Sequence, residues 1–280
     1  MSAENEQPTV QPPTALQMQV VPARAGWLWL AEGLRIFRSS PGMWTLLVLA
    51  YWLLLSMTNR AGWLGSILVA VCLPAFSASF AIACDELKNG RPIQLRLLFA
   101  GFQRQPRSAL VLGAIYLLSM VAILGISALF DGGLLLDWIL FNKNPSEADI
   151  LQGRFSSSMP IAALVASPVL MAFWFAPLLV AFEGMSAIKA LFYSFFACLR
   201  NWRALIAYGA AIFVFAIFVA MFVALFAVMA GGNANAARGF MLAATIMIMP
   251  ALFGSFYAAY LDIFPRIPVQ PEITPDASQL

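Results

Sequence analysis

Six long runs of apolar residues, none containing a charged side chain, dominate the hydrophobic pattern of the chain. They cover residues 43–58, 63–83, 108–130, 160–182, 204–230 and 240–261. Lipid offers the backbone no hydrogen-bond partner, so apolar runs of about 20 residues form membrane-spanning α-helices. The pattern predicts an all-α, polytopic membrane domain with six transmembrane helices over residues 24–264. The first run is short for a span and must tilt little, start at Ser39 and Ser40, or lie in a locally thinned bilayer.

The distribution of basic residues predicts how this domain is oriented. Twelve of the 16 Lys and Arg residues fall before the first run, in the loops 84–107 and 183–203, or after the last run. The other four are Arg60, Lys143, Arg154 and Arg238. By the positive-inside rule, the side with twelve is cytoplasmic. We therefore expect a multi-pass protein of the bacterial inner membrane with both termini in the cytoplasm.

The segments outside the runs differ in character. Residues 1–23 and 265–280 are rich in Pro and polar residues, and we expect both to be disordered cytoplasmic tails. The longest loop on the opposite side, 131–159, contains an apolar patch at 134–139. This patch forms either a short helix on the outer leaflet or an irregular loop, and we favour the loop.

Three segments on the basic side combine basic and apolar residues at helical spacing. A projection of residues 27–38 at 100° per residue separates the apolar arc from the charged arc, with Leu28 as the exception. Residues 92–105 and 185–200 have a similar pattern. We expect interfacial helices that attract anionic headgroups, or helices that only anchor the following spans. The candidate headgroup contacts are Arg24, Arg35, Arg38, Arg96, Arg104, Lys189, Arg200 and Arg203.

Prolines recur inside the even-numbered runs, where each removes a backbone donor. The candidate helix hinges are Pro74, Pro168, Pro177 and Pro250. They either form hinges of a transporter-like site or are ordinary membrane-helix prolines whose effects packing compensates.

The even runs also resemble one another. Residues 74–80 (PAFSASF) align with 250–256 (PALFGSF) and more loosely with 168–174 (PVLMAFW). An acidic residue follows each run near the membrane exit: Asp85, Glu183 and Asp262. The pattern suggests three pseudo-repeated hairpins, each led by a cytoplasmic amphipathic helix.

The residue inventory argues against catalysis. Only 10% of the residues are charged, His is absent, and the three Cys residues have no metal-ligand spacing. The runs contain no ionisable group of the kind on which ion-coupled transport depends, and no phosphate-binding Gly-Lys-Ser/Thr loop occurs. We expect no enzyme activity, no cofactor, no metal and no nucleic-acid partner. The single charged cluster at a membrane face, Asp85 to Arg91, is typical of a turn at a helix end.

Two blocks of the sequence carry a resemblance. Residues 24–41 (RAGWLWLAEGLRIFRSSP) and 175–202, with Glu183, Lys189, Ser194 and Arg200-Asn201-Trp202, resemble a family of uncharacterised bacterial inner-membrane proteins catalogued under a BPSS-series locus name. The resemblance extends over about residues 24–265. It implies location and architecture, and it implies no active site.

Three functional hypotheses follow. The first is a non-enzymatic membrane protein that interacts with lipid or a membrane protein partner through its basic amphipathic segments. The second is a carrier or permease for an uncharged or amphiphilic solute, with Ser79, Ser167 and Ser255 in a polar cavity. The third is an accessory subunit of a membrane complex.

Overall fold

The computed structural model of the protein describes residues 14–141, 143, 144, 146, 154–231 and 233–268. In these residues the chain is almost entirely α-helical, which confirms the predicted fold class. The helices are α1 (Ala25–Ser39), α2 (Pro41–Asn59), α3 (Trp63–Lys88), a 3₁₀ turn (Leu95–Phe99), α4 (Ala100–Arg104), α5 (Pro106–Asp131), α6 (Leu134–Phe141), α7 (Arg154–Trp174), α8 (Ala176–Glu183), α9 (Ala187–Arg200), α10 (Trp202–Met229) and α11 (Ala234–Ile263).

Six stretches of helix within the described residues are long and apolar enough to cross a membrane. They are Pro41–Asn59, Trp63–Lys88, Pro106–Asp131, Ala162–Glu183, Trp202–Met229 and Arg238–Ile263. Each contains or closely overlaps one of the six predicted runs. The first span reaches 19 residues because Pro41 starts the helix directly after Ser40, a position where its missing N–H costs no hydrogen bond.

The chain ends nearest the bundle are more ordered than we expected. Strand β1 (Thr14–Leu16) pairs antiparallel with strand β2 (Arg266–Pro268). The Gln19 N–H then donates to the Ile263 carbonyl at 3.0 Å, and Val21 is buried. The predicted disordered tails are therefore wrong for residues 14–23 and 265–268. The remaining tail residues, 1–13 and 269–280, lie outside the described part of the chain.

The apolar patch in the loop 131–159 is helical, so our preference for an irregular loop was wrong. The Asp131 carboxylate accepts hydrogen bonds from the backbone N–H groups of Gly133 at 2.8 Å and Leu135 at 3.2 Å. These bonds satisfy donors at the start of α6 that have no partner within the helix.

Three short helical elements lie across spans that belong to other hairpins. Helix α1 packs on α11, the segment 95–104 packs on α3, and α9 packs on α7 and α8. At the first two crossings the backbones touch, because a Cβ atom added at Gly33 or Gly101 would collide with the carbonyl oxygen of Ala251 or Ala75, respectively. The hairpins are thus joined through these elements as well as through their spans.

The buried core lies in one half of the bundle. In α3, most residues from Pro74 to Cys84 are buried, whereas before Pro74 only Gly65 is. In α10, the buried residues are Ala204, Tyr208 and Ala211 near its start and Val223 further along. The half that carries α1, α4 and α9 is therefore tightly packed, and the spans separate towards the other end.

We predict that Gly33→Ala destabilises the protein, because the new methyl group forces α1 away from α11. Overpacking of this kind costs about 1–3 kcal/mol, which lowers the thermal unfolding midpoint in detergent by several degrees. Gly209→Ala is the matched control, since an added Cβ there meets no atom within 4 Å. Equal midpoints for the two variants would contradict the close crossing.

Candidate functional site at the basic face

The end of the bundle that carries α1, α4, α9 and both described chain ends is called the basic face here. All eight predicted headgroup contacts lie at this face, and each of their side chains is exposed to the surroundings of the bundle. They are Arg24, Arg35, Arg38, Arg96, Arg104, Lys189, Arg200 and Arg203. The structure thus brings the predicted residues to one end of the molecule, although along three separate elements.

Helix α1 has the predicted arcs, but its apolar arc contacts protein. Trp29, Gly33 and Ile36 are buried against the neighbouring helices. Leu28, the exception in the projection, is 62% exposed, and Trp27 is 49% exposed. This helix therefore leaves exposed its charged arc and two apolar side chains at its start, rather than the whole apolar arc.

The segment 92–105 is shorter and less regular than a full amphipathic helix. A 3₁₀ turn leads into the five-residue helix α4, and the buried residues of the segment are Ile93, Leu98 and Gly101. Leu95 and Phe99 remain 45% and 46% exposed. The Arg104 guanidinium lies 5.1 Å from the centroid of the Phe182 ring, an attractive cation–π contact.

Helix α9 has two apolar faces of different kinds. Small residues form the buried face: Ala187, Ala190, Ser194, Ala197 and Cys198. Large residues form the exposed face: Ile188, Phe192, Phe196 and Leu199, between 38% and 74% exposed. The exposed set follows helical spacing, so large side chains line the outer surface of α9 between Lys189 and Arg200.

Ser194 fixes the buried face of α9 at a break in the fourth span. The span is interrupted between α7 and α8, and the freed Phe175 N–H donates to Ser194 Oγ at 2.8 Å. The Ser194 hydroxyl in turn donates to the Met171 carbonyl at 2.8 Å. One turn further along α9, burial raises the pKa of the Cys198 thiol to about 12, so this thiol remains protonated and unreactive at neutral pH.

The predicted hinges differ in their surroundings. Pro177 belongs to the first turn of α8, next to the helix break at Phe175. Pro74, Pro168 and Pro250 lie inside continuous helices. The interruption in the fourth span therefore coincides with Pro177.

The three acidic residues after the even runs each accept a hydrogen bond from an aromatic side chain. Tyr257 donates to Asp85 at 2.7 Å and Tyr260 donates to Glu183 at 2.8 Å. Trp29 Nε1 donates to Asp262 at 3.0 Å. Because both tyrosines belong to α11, this helix is bonded to the ends of the second and fourth spans. Trp29 of α1 is bonded in turn to Asp262 near the end of α11.

The charged side chains of the Asp85 to Arg91 cluster form two separate structural contacts. Asp85 receives the Tyr257 hydroxyl, while Glu86 forms a two-point ion pair with Arg91. The bond to Glu86 raises the pKa of the Arg91 guanidinium, which stays charged. No group of three potential metal-ligating side chains occurs in the part of the chain that the structure describes.

Asn201 is the connecting residue that the sequence pattern did not single out. It is 1% exposed, its Oδ1 accepts from the Val21 N–H, and its Nδ2 donates to the carbonyls of Gln19 and Ala197. Its place inside the Arg200-Asn201-Trp202 triplet was the available signal, but its partner lies 180 residues away in the chain.

Together, six apolar spans and the short helical segments that pack across them at one end define a multi-pass helical membrane protein. The chain is 33% identical over 256 residues to a probable inner membrane protein of Burkholderia thailandensis, an alignment that covers 89% of this chain and 94% of that protein. The chain belongs to the family of that protein, and it is a multi-pass inner-membrane protein. No family profile and no solved structure matches the chain.

We predict that Tyr257 and Asp85 are energetically coupled. In a double-mutant cycle with Tyr257→Phe and Asp85→Ala, the coupling should be about 1.5–3 kcal/mol, the range for hydrogen bonds to charged groups. Unfolding free energies in detergent measure it. Tyr193→Phe combined with Asp85→Ala is the control, because Tyr193 lies outside the three aromatic–carboxylate bonds and the two changes should add. Additivity in the Tyr257 cycle as well would exclude a stabilising bond.

Proposed function

We propose that the protein is a non-enzymatic membrane protein that binds anionic lipid headgroups through its basic face. The main support for this proposal is the exposed face of α9, where Phe192 and Phe196 lie between Lys189 and Arg200. In-plane helices that bind membranes combine large apolar side chains with basic ones in this way. The apolar residues enter the acyl boundary, and the cations remain at the phosphates.

Helix α1 and the segment 95–104 expose fewer apolar side chains but support the same function. Trp27 and Leu28 are exposed next to Arg24, and Leu95 and Phe99 are exposed on either side of Arg96. Each pair of apolar side chains has a basic neighbour, which favours contact with both the acyl boundary and an anionic headgroup. The three elements pack on spans of different hairpins, so their lipid contacts are distributed along the basic face.

Aromatic rings hold several of the cations in place. Lys189 Nζ lies 5.8 Å from the centroid of the Tyr193 ring, and the Arg203 guanidinium lies 5.4 Å from that of Trp202. Such contacts contribute about 0.5–1 kcal/mol each at exposed sites. They reduce the freedom of the long side chains and favour a fixed headgroup geometry.

The same proposal includes orientation and internal symmetry. The basic face lies in the cytoplasm, in agreement with the twelve basic residues on that side. The three hairpins are pseudo-repeats in a cyclic arrangement: each leading element crosses the second span of another hairpin. The crossings support the repeat because each meets its span ten to twelve residues before the exit acid, at Ala75, Met171 and Ala251.

The alternative of a carrier through Ser79, Ser167 and Ser255 receives little support. Ser79 and Ser255 are buried in helix contacts, with Ser79 accepting from the Gly101 N–H and Ser255 bonded to Tyr208. Ser167 lies on the outer surface of α7 and donates to the Leu164 carbonyl. An accessory role with a membrane protein partner stays open, since the exposed face of α9 also suits a helix of another protein.

We predict that Lys189→Gln with Arg200→Gln weakens binding of anionic lipid by about fivefold per residue at low salt. The measurement is the ratio of anionic to zwitterionic lipid retained by the full-length protein after exchange in mixed nanodiscs. The control is Arg60→Gln with Arg238→Gln, which removes two exposed charges at the opposite end. An equal loss in both double variants, or no loss, would refute specific binding at the basic face.

We predict that a fluorescent protein fused to the C-terminus folds and fluoresces in the cytoplasm, whereas alkaline phosphatase at that position stays inactive. Alkaline phosphatase inserted after residue 231, between the fifth and sixth spans, should be active instead. The reverse pattern would show that the basic face is periplasmic.

A further inference from the structure

A cavity of about 280 Å³ lies between five of the six spans. Three of its lining residues carry hydroxyl groups: Tyr51, Ser77 and Tyr116. The others are apolar: Leu73, Pro74, Phe80, Phe173, Pro177 and Phe253. Its volume is close to the lower end of the range for small-molecule sites, roughly 300–1,000 Å³.

The cavity lies well inside the membrane domain. Ser77 precedes the exit residue Asp85 by eight residues of continuous helix, and Leu73 precedes it by twelve. At 1.5 Å per residue, these positions are about 12–18 Å from the basic face along α3. An occupant must therefore be stable at the depth of the acyl chains.

The polar groups of the cavity are unpaired. Tyr51 is only 8% exposed, and within the described residues the hydroxyls of Tyr51, Ser77 and Tyr116 have no hydrogen-bond partner. Ser77 and Tyr116 are half-buried, and none of the three oxygen atoms is among the fully buried polar atoms of the described residues, so an occupant of the cavity can reach them.

The two tyrosine rings are held by aromatic neighbours. Tyr51 meets Phe76 and Phe80 edge to face, each with ring centroids 5.2 Å apart. Tyr116 meets Phe173 at 5.2 Å in the same geometry. The Phe80 and Phe253 rings stack at 3.9 Å and form part of the wall. The hydroxyl positions are thus fixed in advance of binding, which lowers the entropy cost of an interaction.

The cavity is partly open, and its side towards the basic face is closed by packed side chains. Towards the basic face, the completely buried rings of Tyr257, Tyr260 and Phe264 fill the core. Towards the opposite end the spans separate, and α3 before Pro74 has Gly65 as its single buried residue. An occupant therefore does not enter through the packed half next to the basic face.

We propose that this cavity binds a neutral amphiphile, a molecule with one hydroxyl or carbonyl group attached to an apolar chain. The polar group pairs with the hydroxyls of Tyr51, Ser77 and Tyr116, and the chain lies against the phenylalanine and proline side chains. No lining residue is charged, so an ionised carboxylate or phosphate has no counterion there. Water can bond to the three hydroxyls, but the apolar side chains that form most of the lining offer it no further partner. The site is independent of lipid binding at the basic face.

The test uses the full-length protein in zwitterionic nanodiscs, where the basic face plays no part. The probe is a long-chain alcohol that carries a photoreactive diazirine, compared with the alkane and the carboxylate of equal length. We expect the alcohol to label peptides that contain cavity residues several-fold more than either comparison probe, and decanol to compete.

Tyr51→Phe and Tyr116→Phe should each weaken alcohol binding by about two- to tenfold, the effect of one lost neutral hydrogen bond. Tyr193→Phe, the same change outside the spans, and Ser119→Ala, whose hydroxyl is already bonded to the Ile115 carbonyl, should leave it unchanged. Ser77→Leu should reduce labelling, because it removes one hydroxyl and occupies part of the cavity, and its unfolding midpoint shows whether it is folded. Equal labelling by alcohol and alkane, or unchanged binding in both tyrosine variants, would overturn the proposal.

Discussion

Close contact at three helix crossings, two of them backbone to backbone and the third through a buried serine, is the constraint on which the rest of the structure depends. Gly33 and Gly101 allow α1 and α4 to reach the backbones of α11 and α3, and Ser194 bonds α9 to the broken fourth span. In lipid, association of helices gains little from hydrophobicity and relies on such small-residue contacts and hydrogen bonds. The crossings join separate hairpins into one domain with its core at the basic face.

This arrangement explains why the two ends of the domain differ. At the basic face, the crossings and the aromatic–carboxylate bonds hold the spans together, and the acids are used for structure. Trp44 is completely buried there, and among the described residues its indole N–H has no partner, which costs about 1–3 kcal/mol. Further from the crossings the spans separate, and the central cavity lies where tight packing ends.

The sequence predicted the spans well because burial in lipid depends on composition over about 20 residues, which any charged residue interrupts. It also placed all eight basic candidates at one end, because the number of spans determines on which side each loop lies. It failed for residues 14–23, because β1 pairs with β2 and Gln19 bonds to Ile263, more than 240 residues away. It also left open what the apolar arc of α1 contacts, since periodicity shows that a face is apolar but not what covers it.

The sequence by itself therefore determined the number of spans, the helical class and the side on which the basic residues collect, because these follow from local composition and connectivity. Only the tertiary structure decided which faces of α1 and α9 contact protein, which partners Asp85, Glu183 and Asp262 bind, and which hydroxyls stay unpaired. Ser77 and Ser79 are two residues apart, yet one lines the cavity and the other receives the Gly101 N–H. That difference arises from the position of neighbouring helices, which residue type and spacing do not specify.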